Sequence, residues 1–201
     1  MTSSGHPAAA PRRWSRVARR IRVPIGFAFA ILYLWLARPS AMSIAIGCPI
    51  VVAGLAIRAV ASGQLRKNEA LAVSGPYSYT RNPLYLGSIV MAVGFALAAR
   101  SWWIWVLLAI LFVLIYVPVI RSEEQFLRSR FPDFESYATR VRRILPLWSG
   151  ESLTADFRRE LYLKHREYNA LIGAVLMILA ITLKMLARSA GWTGGSAQRW
   201  H

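Results

Sequence analysis

The sequence predicts an all-α integral membrane protein, a bundle of about five transmembrane helices. Three observations carry this. The chain of 201 residues is 56% hydrophobic with a mean hydropathy of +0.39, yet it holds 25 Lys and Arg against 9 Asp and Glu. The charge is segregated, with arginines flanking apolar runs as topology determinants do, which favours a membrane protein over a nucleic-acid binder. Five apolar runs approach the roughly 20 residues that a helix needs to cross a bilayer core.

The first run covers residues 23–37 and follows a basic segment, residues 1–22, holding Arg12, Arg13, Arg16, Arg19, Arg20 and Arg22. That arrangement mimics a signal peptide. Arg38-Pro39 interrupts the end of the run where a small-residue cleavage site would stand, and further spans follow, so an uncleaved helix is expected. The second run, residues 41–59, is separated from the first only by Arg38-Pro39-Ser40, which forces a tight hairpin; the pair makes up residues 23–63. Runs three and four, residues 85–99 and 102–120, meet at Arg100-Ser101 in the same way. The third is short, which packing in a bundle or thinning of the bilayer accommodates.

In residues 147–169, Leu153, Phe157 and Leu161 recur at helical spacing amid Arg158, Arg159, Lys164 and Arg166. The pattern suits a helix lying in the cytoplasmic interface; an ordinary solvated helix packed on loops satisfies it equally. The last run, residues 170–187, lies in a carboxy-terminal unit of residues 170–201. The chain ends, residues 1–11 and 191–201, read as disordered. Gly47, Gly54 and Gly94 suit close helix packing. Pro49 and Pro118 are expected to kink their helices. Trp102, Trp103 and Trp105 form an interfacial anchor.

Cations set the orientation. Six precede the first span, four lie between Arg58 and Arg81, and ten more between Arg121 and Arg166. The other side holds Arg38, Arg100, Arg188 and Arg199, with Lys184 placed to snorkel. The large loops and the amino terminus are therefore expected in the cytoplasm, at the inner membrane if the host is bacterial. All nine acidic residues share that side.

Several chemistries are excluded or disfavoured. The single cysteine, Cys48, permits neither an intramolecular disulfide nor a cysteine zinc site. His6, His165 and His201 are remote in sequence from the polar clusters described next, so no metal centre is expected there. No glycine-rich nucleotide loop and no Gly-x-Ser-x-Gly elbow occurs. A transporter is disfavoured because no acidic residue or inverted repeat falls within the spans.

Two polar clusters flank the hairpin of runs three and four, so they return to one side of the bilayer. Residues 74–87, Ser-Gly-Pro-Tyr-Ser-Tyr-Thr-Arg-Asn-Pro-Leu-Tyr-Leu-Gly, pack a turn, one arginine and three tyrosines before an apolar run. Arg121-Ser122-Glu123-Glu124 follows the hairpin. Spacing alone offers a site for a zwitterionic ligand, with a cation for its carboxylate and carboxylates for its ammonium or hydroxyls. Arg81 serves equally well as a membrane-edge anchor, Pro83 as an ordinary helix opener, and Glu123 and Glu124 as surface partners of Arg121 and Arg128.

These residues resemble the membrane methyltransferases of the isoprenylcysteine carboxyl methyltransferase and phospholipid methyltransferase group. Gly75-Pro76-Tyr77 and Arg81-Asn82-Pro83-Leu84-Tyr85-Leu86-Gly87 match its Gly-x-Tyr and Arg-His-Pro-x-Tyr-x-Gly hallmark. Glu123-Glu124, Phe131-Pro132, Tyr137 and the basic exit Arg140-Val141-Arg142-Arg143-Ile144-Leu145-Pro146 follow in the family's order. The match spans residues 64–146, the expected methyltransferase-like core.

The resemblance implies an integral-membrane enzyme that uses S-adenosylmethionine without a Rossmann domain, enclosing it at the cytoplasmic face. Carried over, Leu71, Val73 and Tyr77 line the cofactor. Arg81, Asn82, Pro83, Leu84 and Tyr85 form its cradle, and Glu124, with Glu123, holds its polar groups. Arg121 and Arg140 orient the methyl acceptor. Asn82 replaces the family's histidine: it can donate a hydrogen bond but cannot titrate near neutral pH.

The expected acceptor is lipophilic and membrane-embedded, either a carboxylate such as a prenylcysteine-like group or a lipid amine that Glu123 or Glu124 would deprotonate. It would be lined by residues 86–92 and 113–120. The rival expectation is a non-catalytic lipid-binding scaffold derived from such an enzyme. Neither involves nucleic acid.

Overall fold

The computed structural model describes residues 26–65, 70–148, 150 and 157–191. The basic amino-terminal segment, Leu153 and the tail after Gly191 lie outside the described residues. Within them every element is helical: α1 (Gly26–Leu36), α2 (Ala41–Ser62), α3 (Pro76–Tyr79), α4 (Pro83–Ala99), α5 (Trp102–Leu111), a π-helical segment (Phe112–Tyr116), α6 (Val117–Arg130), α7 (Phe134–Arg140), α8 (Arg159–Lys164) and α9 (Tyr168–Ser189). Three are long and apolar enough to cross a bilayer: α2, the continuous helix Trp102–Arg130, and α9. Helices α1 and α4, which correspond to the other two expected spans, are apolar but shorter.

The hairpin between α1 and α2 closes as its sequence dictates. Ser40 caps α2 reciprocally with Ser43: Ser43 N donates to Ser40 Oγ (3.2 Å) and Ser40 N to Ser43 Oγ (2.9 Å). Ser43 Oγ also donates to Ala98 O (2.9 Å), and Arg38 N donates to Ala99 O (2.8 Å), so the hairpin is tied to the end of α4. Tyr33, Ala37, Ala96, Ala98, Ala99, Ile104 and Ile181 form the buried core at this end of the bundle. Lys184, expected to snorkel, donates to Leu34 O and to Trp35 O (3.1 Å), and so satisfies carbonyls at the end of α1.

Helices α2 and α4 pack antiparallel with almost no side chain between them. A methyl group at Gly47 would lie 2.5 Å from Gly94 O, and one at Gly54 would lie 2.6 Å from Gly87 O. Each pair is spaced by seven residues, two helical turns, so the four glycines present one continuous groove to each other. This contact holds the amino-terminal end of α4, and with it the Arg81-Asn82 turn, against Arg58 of α2.

The helix Trp102–Arg130 has 29 residues, about 43 Å at 1.5 Å per residue, against a bilayer core of about 30 Å. Its polar end therefore projects beyond the apolar zone and carries Glu123 and Glu124 with it. The irregularity expected from Pro118 occupies the preceding turn, where Val117 N donates to Phe112 O. Proline cannot donate to the carbonyl four residues earlier, and the wider π turn absorbs that break. Trp102 and Trp103 are exposed while Trp105 packs on the core.

The amphipathic helix expected through Leu153, Phe157 and Leu161 does not form as one unit. Phe157 lies directly over Gly63, and Arg158, in extended conformation, donates its N–H to Gly63 O (2.8 Å). That tertiary contact diverts the chain, and α8 starts only at Arg159.

Candidate functional site

The site is built on the turn from Ser74 to Pro83. Gly75 has φ +57° and ψ −128°, and a methyl group there would strike the Gln64 side-chain amide; only glycine fits. Pro76 opens the single helical turn α3, which Ser78 Oγ tightens by donating to Gly75 O (2.6 Å). Pro83 then opens α4, where its missing N–H costs nothing.

The chain after α7 straps across this turn. Tyr137 Oη donates to Tyr77 O (2.6 Å), Arg81 N to Arg142 O (2.9 Å), and Leu147 N to Tyr79 O (2.9 Å). Thr80 Oγ1 lies between Arg143 O (3.2 Å) and Ile144 O (3.0 Å). The phenols of Tyr77 and Tyr137 are held well above their ordinary range, first by burial; at Tyr137 Arg81 opposes that rise and Glu124 adds to it. Both remain neutral hydrogen-bonding groups.

Glu124 is the centre of the arrangement, only 7% exposed. Arg143 holds its Oε2 through Nε (2.9 Å) and Nη2 (2.7 Å). Arg81 Nη1 lies 3.6 Å from Oε1, and Asn82 Nδ2 makes a long 3.4 Å contact with the same oxygen while donating to Arg143 O at 2.9 Å. Arg81 Nε is buried and has no hydrogen-bond partner among the described residues. Tyr85 Oη donates to Glu123 Oε2 (3.0 Å) and its ring meets Tyr116 edge-on. One buried carboxylate thus faces two guanidiniums, one of them with a donor unfilled.

Of the expected site residues, the fold brings Arg81, Asn82 and Glu124 into one cluster. Tyr85 and Glu123 pair with each other, Pro83 and Leu84 open α4 directly after Asn82, and Tyr77 lies beneath the strap. Leu71 is half-buried and Val73 exposed in the approach to the turn. Arg121 is exposed on α6, and Arg140 Nε donates to Ser136 O of its own helix (3.2 Å). The alternative reading, in which Glu124 pairs with Arg121 or Arg128, does not hold: its partners are Arg81 and Arg143, and Arg128 pairs with Glu135. Sequence reasoning missed the roles of Arg143 and Thr80. The only signal was the basic exit itself, which says nothing of which arginine turns inward.

Val113 and Leu114, expected along an acceptor channel, are more than half exposed on the outer side of the bundle. A cleft of about 290 Å³ lies elsewhere, between α2, α8 and α9, with apolar walls from Val52, Leu55, Ala56 and Leu171. Its polar end is Arg58 bound bidentately to Glu167 (2.9 and 2.8 Å), an ion pair the sequence did not reveal.

Residues 41–133 match the model of the phospholipid methyltransferase family. Over that stretch, somewhat under half of its length, the chain is similar to this family. The segment begins with α2 and contains the turn, the α4–α6 hairpin and both glutamates. The chain is similar to the cobalt-zinc-cadmium resistance protein CzcN of Cupriavidus metallidurans, 42% identical over 90 residues, or 43% of this chain and 42% of that protein. It is also similar to the nickel-cobalt-cadmium resistance protein NccN of Alcaligenes xylosoxydans xylosoxydans, 35% identical over 134 residues, or 63% of this chain and 60% of that one. The chain thus spans less than two thirds of either relative. No solved structure matches it.

Proposed function

We propose that the chain transfers a methyl group from S-adenosylmethionine to a lipophilic acceptor embedded in the membrane. The observation that carries this is the buried Glu124–Arg81 pair, with Arg81 Nε unfilled, in a segment that matches the phospholipid methyltransferase model. The residues fit such a cofactor: Arg81 has a donor for its carboxylate, Glu124 an acceptor for its ammonium or hydroxyls. Leu71, Val73, Tyr77 and the first turn of α4 would wall it. The cofactor supplies an electrophilic methyl group on a sulfonium. The chain's own residues have to align the acceptor, exclude water and, for an amine acceptor, take its proton. Glu123, whose Oε2 accepts from Tyr85 Oη, would take that proton; a carboxylate acceptor needs no base, and we favour it. Arg121 and Arg140 would steer a charged acceptor head.

The full reading places five spans in the membrane and the site in the cytoplasm, as the cation bias indicates. The core of residues 64–146 would form the catalytic unit, between the two amino-terminal helices, the following interfacial segment and the last helix. The names of the relatives extend the proposal to membrane methylation in cells resisting cobalt, zinc, cadmium or nickel. Asn82, which cannot titrate, favours the second reading, a non-catalytic lipid-binding scaffold.

Binding of S-adenosylmethionine to the purified protein in nanodiscs separates the two. The wild type is expected to bind saturably, and Arg81→Ala and Glu124→Gln each to weaken binding roughly tenfold or more, the worth of one charge-assisted hydrogen bond. The same assay in sealed vesicles of opposite orientation reports the face. A folded protein that ignores the cofactor would leave the scaffold reading in front.

A further inference from the structure

Arg143 is anchored by its backbone and open to solvent at its head. Its carbonyl accepts from Asn82 Nδ2 (2.9 Å) and Thr80 Oγ1 (3.2 Å), and Arg142 O accepts from Arg81 N (2.9 Å). The side chain holds Glu124 Oε2 by two nitrogens at 2.9 and 2.7 Å, yet is 48% exposed. Arg81 is built the other way: its side chain is 14% exposed, stands 3.6 Å from Oε1, and keeps its Nε buried and unfilled. The buried carboxylate therefore has one walled-in cation with poor geometry and one half-solvated cation with good geometry. A half-exposed guanidinium regains water when it leaves, so its departure costs little. Removal of Arg81 would instead strand a buried carboxylate beside a less permanent partner.

We propose that Arg143 is a displaceable counter-ion that sets the ligand specificity of this pocket. It holds Glu124 until a ligand bearing an ammonium group takes its place, while Arg81 stays and meets that ligand's carboxylate. This rests on the cofactor reading above and names the part of the ligand that opens the pocket: the amino-acid head rather than the nucleoside. The reason is charge balance. A neutral group cannot replace a guanidinium on a buried carboxylate without leaving it short of a cation. An amino-acid head brings a cation for Glu124 and an anion for Arg81 together.

The test compares wild type with Arg143→Gln in nanodiscs by calorimetry, using two probes: S-adenosylmethionine, and methylthioadenosine, which keeps the nucleoside and thioether but lacks the amino-acid head. The variant is expected to bind S-adenosylmethionine about twofold to fivefold tighter, the worth of a partly exposed ion pair, with methylthioadenosine affinity unchanged. A second measurement needs no variant: S-adenosylmethionine should quicken phenylglyoxal modification of Arg143, read by mass spectrometry, and methylthioadenosine should not. Weaker binding by the variant, or protection of Arg143 by the cofactor, would overturn the proposal, because a residue that grips the ligand behaves so. If the wild type binds and the variant does not tighten, this proposal alone fails. If neither protein binds the cofactor, the methyltransferase reading fails with it.

Discussion

Tyr137 shows how one side chain holds the site together. Its hydroxyl donates at 2.6 Å to Tyr77 O, both residues being buried, and so fastens the strap to the turn that carries Arg81. Tyr137→Phe leaves that carbonyl unpaired and is expected to lower stability by about 1–3 kcal/mol, read from denaturation in detergent. The phenols of Tyr77 and Tyr137 keep their protons above the ordinary value of 10.0, so their contribution is whole below pH 10 and is lost as pH rises beyond it. Alkaline destabilisation should accordingly be shallower in Tyr137→Phe, which has one such phenol fewer; an unchanged alkaline slope would count against the assignment. Tyr137 was legible as a motif residue, but its partner was not, because the partner is a backbone carbonyl sixty residues away in the chain.

At the scale of elements, the α2–α4 contact depends on absent side chains. A methyl group at Gly94 would lie 2.7 Å from Val51 N and 2.8 Å from Gly47 O, backbone atoms that cannot swing aside. Gly94→Ala is expected to cost about 1–3 kcal/mol through forced separation of the helices. Gly173→Ala in α9, where nothing stands within 4 Å, is expected to be neutral or to stabilise by up to about 1 kcal/mol. Thermal unfolding of the two variants side by side checks the contrast; equal effects would remove the packing argument. Gly47, Gly54 and Gly94 were readable as packing residues because small residues in an apolar helix have few other uses, whereas the part of Gly87 in the same contact was not. The short helix α8 was not, since its start is decided by Phe157 lying over Gly63, a contact from outside its own periodicity.

Across the whole molecule, Arg58 joins three helices near the base of the site. Its guanidinium meets Glu167 at the start of α9, and Leu84 O and Ser88 Oγ in α4. Both ionic side chains are largely buried, at 16% and 13% exposure, so loss of one partner strands the other. Arg58→Met is expected to cost about 3 kcal/mol. Adding Glu167→Gln should recover part of that loss, which a double-mutant cycle by denaturation would measure; additive losses would mean that the pair is not coupled.

The sequence by itself determined the helical class, the apolar runs, the two tight hairpins and the turn that begins the site. Each of these is local: hydropathy over a window, proline and glycine at fixed offsets, motifs in order. It also determined that Glu123 and Glu124 return beside that turn, because a helical hairpin with a two-residue link brings the chain back toward the end it left. The tertiary structure decided which cations meet Glu124, that the chain after α7 straps over the turn, and that Arg58 pairs with Glu167. Those choices depend on how far a side chain reaches and what solvent it loses on the way. Six arginines lie between Arg121 and Arg143 and look alike in sequence; burial and distance single out Arg143.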